Sequence, residues 1–293
     1  MQQKPRSRER RVPLHIHISV LFTLLLLGSG VLLGLFNYQQ TSNIILTSSD
    51  QLFSQMRKEV QTDLHNTYQP IRNMLNLLAR NEQINGRDRH ERMVMLPIFS
   101  QALNDNPKLA SIYVGYGDGG FFMVRPLRSE KLRQIFFAPA NAAYQIWSID
   151  RISEQRLDSE YLFFDAQLQP ISRRQNLKES YDPRNRPWYN SALQSQEHFT
   201  TAPYAFFSSG EIGTTIARKS SDTAVVAADL TLDDLSATLA AHRLTPSTEV
   251  VLYSPDGSAV AYPDSSRLLI PGEKLQLAQV KDLSPVLAEF LNL

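Results

Sequence analysis

Residues 181–193 read Tyr-Asp-Pro-Arg-Asn-Arg-Pro-Trp-Tyr-Asn-Ser-Ala-Leu. Pro183 and Pro187 fix their own backbone torsions and restrict the residues before them, Asp182 and Arg186. On this stiffened stretch Arg186 can present a planar fork to a carboxylate, and the Trp188 indole N–H can donate beside it. Tyr181 and Tyr189 supply apolar walls with a polar tip. Two readings stand side by side. Either these residues edge a binding pocket, or Trp188 and Tyr189 are core aromatics while Arg184 and Arg186 make surface salt bridges.

The flanks read as an antiparallel sheet. Strand patterns fall at Tyr144–Ile149, Tyr161–Phe164, Thr214–Arg218 and Thr223–Asp229. Phe163–Pro170 reads as a strand running into a turn. Upstream, Gly115-x-Gly117-x-x-Gly120 formally matches a dinucleotide fingerprint, but Phe121–Val124 follows it as a strand. The fingerprint needs a helix to open at the third glycine, so a hairpin with a Gly-Asp-Gly-Gly turn is expected instead. Residues 81–92 read as a polar loop, with a short helix near Met93–Leu103. Downstream, Leu230–His242 reads as a helix, and Thr248–Pro263 as a hairpin turning at Ser254–Gly257. A weakly helical tail covers Ser284–Leu293.

The N-terminal part has another character. Between Val12 and Ser49 there is no Lys, Arg, Asp or Glu, and Ile18–Phe36 is a 19-residue apolar run. As a helix it spans roughly 28 Å, about the thickness of a bilayer core. Residues 1–11 carry five basic residues and one acid, so the positive-inside rule leaves the N-terminus cytoplasmic and exports the rest. The run continues past Gly28-Ser29-Gly30, where cleavage would fall, so an uncleaved anchor is expected. Ile45, Leu52, Met56, Val60, Leu64, Tyr68, Ile71, Leu75 and Leu78 then form one stripe of a long stalk helix, which Pro70 should kink or break.

Composition excludes several functions. With no Cys there is no disulfide, thiolate zinc site, iron–sulfur cluster or thiol catalysis. Beyond the basic tip the chain carries 25 basic and 28 acidic residues, which argues against nucleic-acid binding. The six His lack metal spacing, and His15 and His17 read as interfacial residues. No nucleophile elbow, P-loop or His-Glu-x-x-His occurs. Asp182 and Asp229 lack an activating partner for acid–base work. The chain is expected to be neither an enzyme nor a cofactor or metal carrier.

The stretch YDPRNRPWYNSAL resembles the signature of the double Cache sensor domains of bacterial membrane receptors. The order of membrane helix, long helix, sheet module and second hairpin resembles them too, over roughly residues 37–270. The resemblance implies an α+β fold with boundaries at 1–11 (cytoplasmic tip), 12–36 (transmembrane helix), 37–80 (stalk), 81–230 (PAS-like distal ligand module) and 231–293 (linker helix and incomplete PAS-like proximal module). It implies the periplasmic sensing region of a single-pass inner-membrane receptor. A homodimer and a cytoplasmic effector in a larger protein are expected with it. The amino-acid-binding subgroup has a pattern that falls on Tyr181, Arg186, Trp188, Tyr189, Tyr204 and Asp229. By that likeness Arg186 and Trp188 hold a ligand carboxylate, and Tyr204 and Asp229 hold its ammonium. The alternatives are an amine or carboxylate ligand, or a ligand-free dimerisation stalk, because EIGTTIARK…VVAADLTLDDLSATL resembles sensor regions joined to cyclic-nucleotide enzymes. Asp229 also fits a simple cap for the helix that follows it.

Overall fold

The computed structural model describes residues 13–153, 156–176, 181–270 and 276–291. The chain divides into two units, Met1–Glu59 and Val60–Leu293. From Leu14 on, the described part of the first is helical and belongs to helix α1, Leu14–Ala79. Its large apolar side chains from Ile18 to Phe36 are exposed. This segment is long and apolar enough to cross a membrane.

Of the two expected outcomes at Pro70, a break does not occur; helix α1 runs through it. Pro70 lies on the exposed face, while Ile71, Leu75 and Leu78 are buried. Burying three such side chains contributes about 5 kcal/mol or more, against about 3 kcal/mol for an interior proline.

Two short helices follow, α2 (Arg89–Arg92) and α3 (Leu96–Asp105). Strands β1 (Leu109–Tyr116) and β2 (Phe121–Pro126) form the expected hairpin. After α4 (Glu130–Ile135) come β3 (Tyr144–Ser153) and β4 (Arg156–Phe164), then a turn at Asp165–Gln169 and β5 (Pro170–Gln175), which the sequence reading ended at the turn. Helix α5 (Pro187–Gln194) carries the aromatic signature. The short β6 (Phe199–Thr200) and β7 (Tyr204–Ala205) lead to the long pair β8 (Ile212–Ser221) and β9 (Ala224–Thr231). The nine strands form one antiparallel sheet in the order β5-β4-β3-β2-β1-β9-β8-β6, with β7 also on β8. The fold is α+β.

The strands deliver alternate residues to two cores. Ile112, Val114, Phe122, Val124, Ile146, Val226 and Ala228 meet Ile71, Leu75, Phe99 and Leu103 of α1 and α3. Tyr113, Phe121, Met123, Trp147, Val225 and Ala227 face Tyr181, Trp188 and Tyr189. Strands buried on both faces read as continuous apolar runs.

Helix α6 (Leu232–Ala241) is capped by Thr231, whose hydroxyl accepts from the Asp234 N–H at 3.2 Å. Asp229 is therefore not the cap. Beyond it, β10 (Leu252–Tyr253) pairs with β11 (Ala259–Ala261), and β12 (Leu269–Ile270) with β13 (Gln276–Leu277). The Ser254–Gly257 turn forms as expected; Gly257 takes φ +83°, a conformation that favours glycine. Helices α7 (Val280–Leu283) and α8 (Pro285–Leu291) end the described chain.

Candidate ligand-binding site

The Asp182 carboxylate accepts from the Arg184 backbone N–H at 2.9 Å and starts the turn Pro183–Asn185. It also pairs with the guanidinium groups of Arg184 at 2.7 Å and Arg151 at 3.3 Å. The salt-bridge reading thus holds for Arg184. It fails for Arg186, which makes no ion pair among the described residues; its guanidinium lies 4.8 Å from the Tyr181 ring centre and 4.6 Å from that of Phe207. Pro187 then opens α5 at the position where its missing N–H costs nothing.

Gly115 on β1 is what lets the signature approach the sheet. A Cβ there would stand 2.7 Å from the Trp188 ring and 2.8 Å from Pro183. The sequence reading took this glycine only as part of a hairpin. Its role is close approach by Trp188, which makes an edge contact with Tyr113 at 5.0 Å.

Opposite the signature lies a polar row. Ser111, Asp229 and Thr215 are neighbours across β1, β9 and β8. Asp229 is buried, and its Oδ1 accepts from the Tyr113 and Thr215 hydroxyls, both at 2.6 Å. Its Oδ2 accepts from Ser111 Oγ at 3.0 Å. The Tyr204 hydroxyl lies 2.6 Å from Thr215 Oγ1. Since Thr215 spends its proton on Asp229, Tyr204 donates to Thr215. Burial pushes the Asp229 carboxyl up to about 6, with the Thr215, Tyr113 and Ser111 hydroxyls and the Arg125 charge pulling the other way. Burial also pushes the Tyr113 hydroxyl well up, and the Asp229 charge adds to it. A carboxylate has about four lone-pair positions and three are in use here, so one further donor can be accepted.

Tyr181, Arg186, Trp188, Tyr204 and Asp229 line one cavity, together with Tyr113, Met123, Trp147, Phe206, Phe207 and Ser208. The cavity measures about 20 Å³, room for about one water. Phe207 narrows it: its ring stacks on Trp147 at 6.2 Å with an 11° tilt and meets Tyr181 at 5.1 Å. Phe207 and Ser208 sit at the tip of the β7–β8 hairpin, closed by Gly210 at φ +69°. Tyr189 is placed behind Trp188, outside the lining, and its hydroxyl donates to the Thr223 carbonyl at 2.8 Å. Asp182 is also outside, so the two carboxylates weighed as an acid–base pair are not brought together.

Sequence reasoning missed Ser111, Tyr113, Trp147, Thr215 and Phe207. One signal was present: Ser111 and Tyr113, two apart on β1, and Thr215 on β8 and Asp229 on β9 interrupt apolar strands with polar atoms.

No family model matches the chain. Over 173 residues, 58% of the chain, it is 29% identical to Adenylate cyclase 1 of Rhizobium meliloti. Over 64 residues, 21% of the chain, it is 44% identical to the methyl-accepting chemotaxis protein McpB of Bacillus subtilis. Its relatives include a chemotaxis receptor. The matched stretches span 26% and 10% of those two proteins, so the chain corresponds to a minor part of each. Among solved structures, it is similar to the ligand-binding domain of the Pseudomonas fluorescens chemoreceptor CtaA in complex with L-alanine. That likeness has 19% identity and a TM-score of 0.48, and covers 80% of this chain and 78% of that one.

Proposed function

We propose that residues 60–293 are the extracytoplasmic sensing region of a membrane signalling receptor and bind an α-amino acid between Arg186 and Asp229. The observation that carries this reading is the cavity itself. A guanidinium with no ion pair among the described residues stands at one side and a buried carboxylate with a spare lone pair at the other, between aromatic walls. A zwitterion needs these two poles. Trp188 supplies a donor beside the ligand carboxylate. Tyr204 turns its oxygen lone pairs to the ammonium, because its proton is committed to Thr215. Tyr189 supports Trp188 from behind. Ile18–Phe36 anchors the region in a bacterial inner membrane, with a cytoplasmic N-terminus and a periplasmic body. Two copies pair, and each passes its state to a cytoplasmic effector. The matches to a chemotaxis protein and to an adenylate cyclase support a signalling output of this kind. The region itself binds without catalysis.

The test is a thermal-shift screen of the full chain in detergent against the twenty amino acids, simple amines and short carboxylates, repeated on Asp229→Ala. A ligand at a hundred times its dissociation constant stabilises by about 2.7 kcal/mol. We expect an amino-acid response that the variant loses. The small volume of the cavity favours a second reading, a ligand-free packing core in which Phe207 is simply part of the fill. Silence across the panel from a folded chain would overturn the amino-acid reading and favour that second one.

A further inference from the structure

Arg125 on β2 is 3% exposed and takes no part in the zwitterion site described above. Its Nη2 donates to Ser208 Oγ at 2.6 Å and faces Met123 Sδ at 3.4 Å. Both of those residues line the cavity, so the guanidinium lies one side-chain layer behind its wall. Its Nη1 donates to Gln145 Oε1 at 3.2 Å, and its plane lies 4.6 Å over the Phe136 ring. No carboxylate of the described residues comes within ion-pair distance of it; Asp229 and Glu211 act on it only from further off. Gln145, its cross-strand neighbour, is 1% exposed, and its Nε2 has no hydrogen-bond partner.

A second buried arginine shows the usual solution. Arg92, 1% exposed, pairs with Asp150 at 2.9 Å and donates to the carbonyls of Gly86 and Arg87. A buried cation without a paired carboxylate, beside an orphaned amide donor, is costly in an apolar interior. Two guanidiniums, Arg186 and Arg125, serve one cavity that holds a single carboxylate, Asp229. A zwitterion bound between Arg186 and Asp229 leaves one positive charge over.

We propose that Arg125 and Gln145 form a side-chain subsite, and that the ligand is an amino acid with a second carboxylate. The inference rests on the amino-acid reading of the cavity. On binding, Ser208 and Phe207 move off with the hairpin tip. The side-chain carboxylate then replaces Ser208 on Arg125 Nη2 and accepts the free N–H of Gln145. The ligand class is the short dicarboxylic amino acids, aspartate and glutamate.

The test is calorimetric titration of the full chain in detergent with L-aspartate, L-glutamate, L-asparagine, L-glutamine, L-alanine and L-valine. We expect an acidic amino acid to bind at least about tenfold tighter than its amide, the effect of one charge-assisted hydrogen bond. In Arg125→Met that preference should vanish. Gln145→Leu gives an independent variant that keeps the buried charge, and there the preference should shrink by about threefold or more. Melting of each unliganded variant reports its folding, and Gln145→Leu decides the matter if Arg125→Met does not fold. Neutral amino acids binding as tightly as acidic ones would overturn this subsite and leave the amino-acid reading standing. An acid preference that survives the variants would do the same. Binding of none of the six would overturn this subsite, and the amino-acid reading falls with it only if the twenty-member screen is silent as well.

Discussion

The two faces of the sheet are made by alternate residues of the same strands, yet they are finished differently. On the helix face, Ile112, Val114, Val124 and Ile146 close against Leu75 and Phe99, and the central strand residues add only the uncharged hydroxyls of Ser148 and Thr214. On the other face, Tyr113, Met123 and Trp147 are interleaved with Ser111, Arg125, Gln145, Thr215 and Asp229, all buried. The first face is built for stability. The second keeps buried charges, Arg125 and Asp229, and the amide of Gln145, which a stable core would omit, at a cost of a few kcal/mol each where partners are incomplete. On the function proposed above, the difference teaches that a sheet can separate holding the fold from holding a ligand by strand alternation.

The largest expected effect tests the helix face. Leu75 is 0% exposed, and Leu75→Ala should destabilise by about 2–5 kcal/mol. Chemical denaturation reads that loss, and amino-acid affinity of the folded fraction should not change. A matching loss of affinity would show that the faces are not separable.

The next effect tests the polar face by pH. Asp229 sits at about 6 in the folded chain against the ordinary 3.8. The folded state therefore holds this proton more tightly than the unfolded state does. Its contribution to stability is greatest at low pH and is lost as pH rises from about 4 to about 6, by about 3 kcal/mol. Denaturation of wild type and Asp229→Asn across that range should isolate the difference. Ligand affinity runs the opposite way, since an ammonium needs the ionised carboxylate. It should fall about tenfold for each pH unit below about 6. Affinity that is flat across this range would separate Asp229 from the ammonium.

The smallest expected effect is at the hairpin tip. Phe207 is 45% exposed, so Phe207→Ala should cost under about 1 kcal/mol of stability. It should also speed ligand association, because the ring that narrows the cavity is gone. Stopped-flow mixing reads this, and an unchanged association rate would mean that the tip does not gate entry.

Much of the fold was legible. Hairpins announced themselves by Gly117–Gly120 and Ser254–Gly257, and the long helix by its stripe. Strand β5 was not, because Pro170, Arg173 and Arg174 give an edge strand the look of a loop; charge on an edge is how sheets avoid pairing with other chains. The site was half legible. Tyr181, Arg186 and Trp188 fall within one short stretch, so local sequence announces them. Their counterparts on β1, β8 and β9 come together only through register, and register is set by the whole sheet. Pro70 left a kink and a break open for a related reason: its effect depends on what its neighbours bury.

The hydroxyl chain from Tyr204 through Thr215 to Asp229 has a direction. While Asp229 is ionised, each hydrogen points toward it, and Tyr204 shows the cavity an oxygen with lone pairs alone. Protonation of Asp229 gives the chain a donor at its other end, and both hydroxyls can then reverse. A single proton at one buried oxygen thus rewrites, two residues away, whether the wall asks its guest for a hydrogen or offers one.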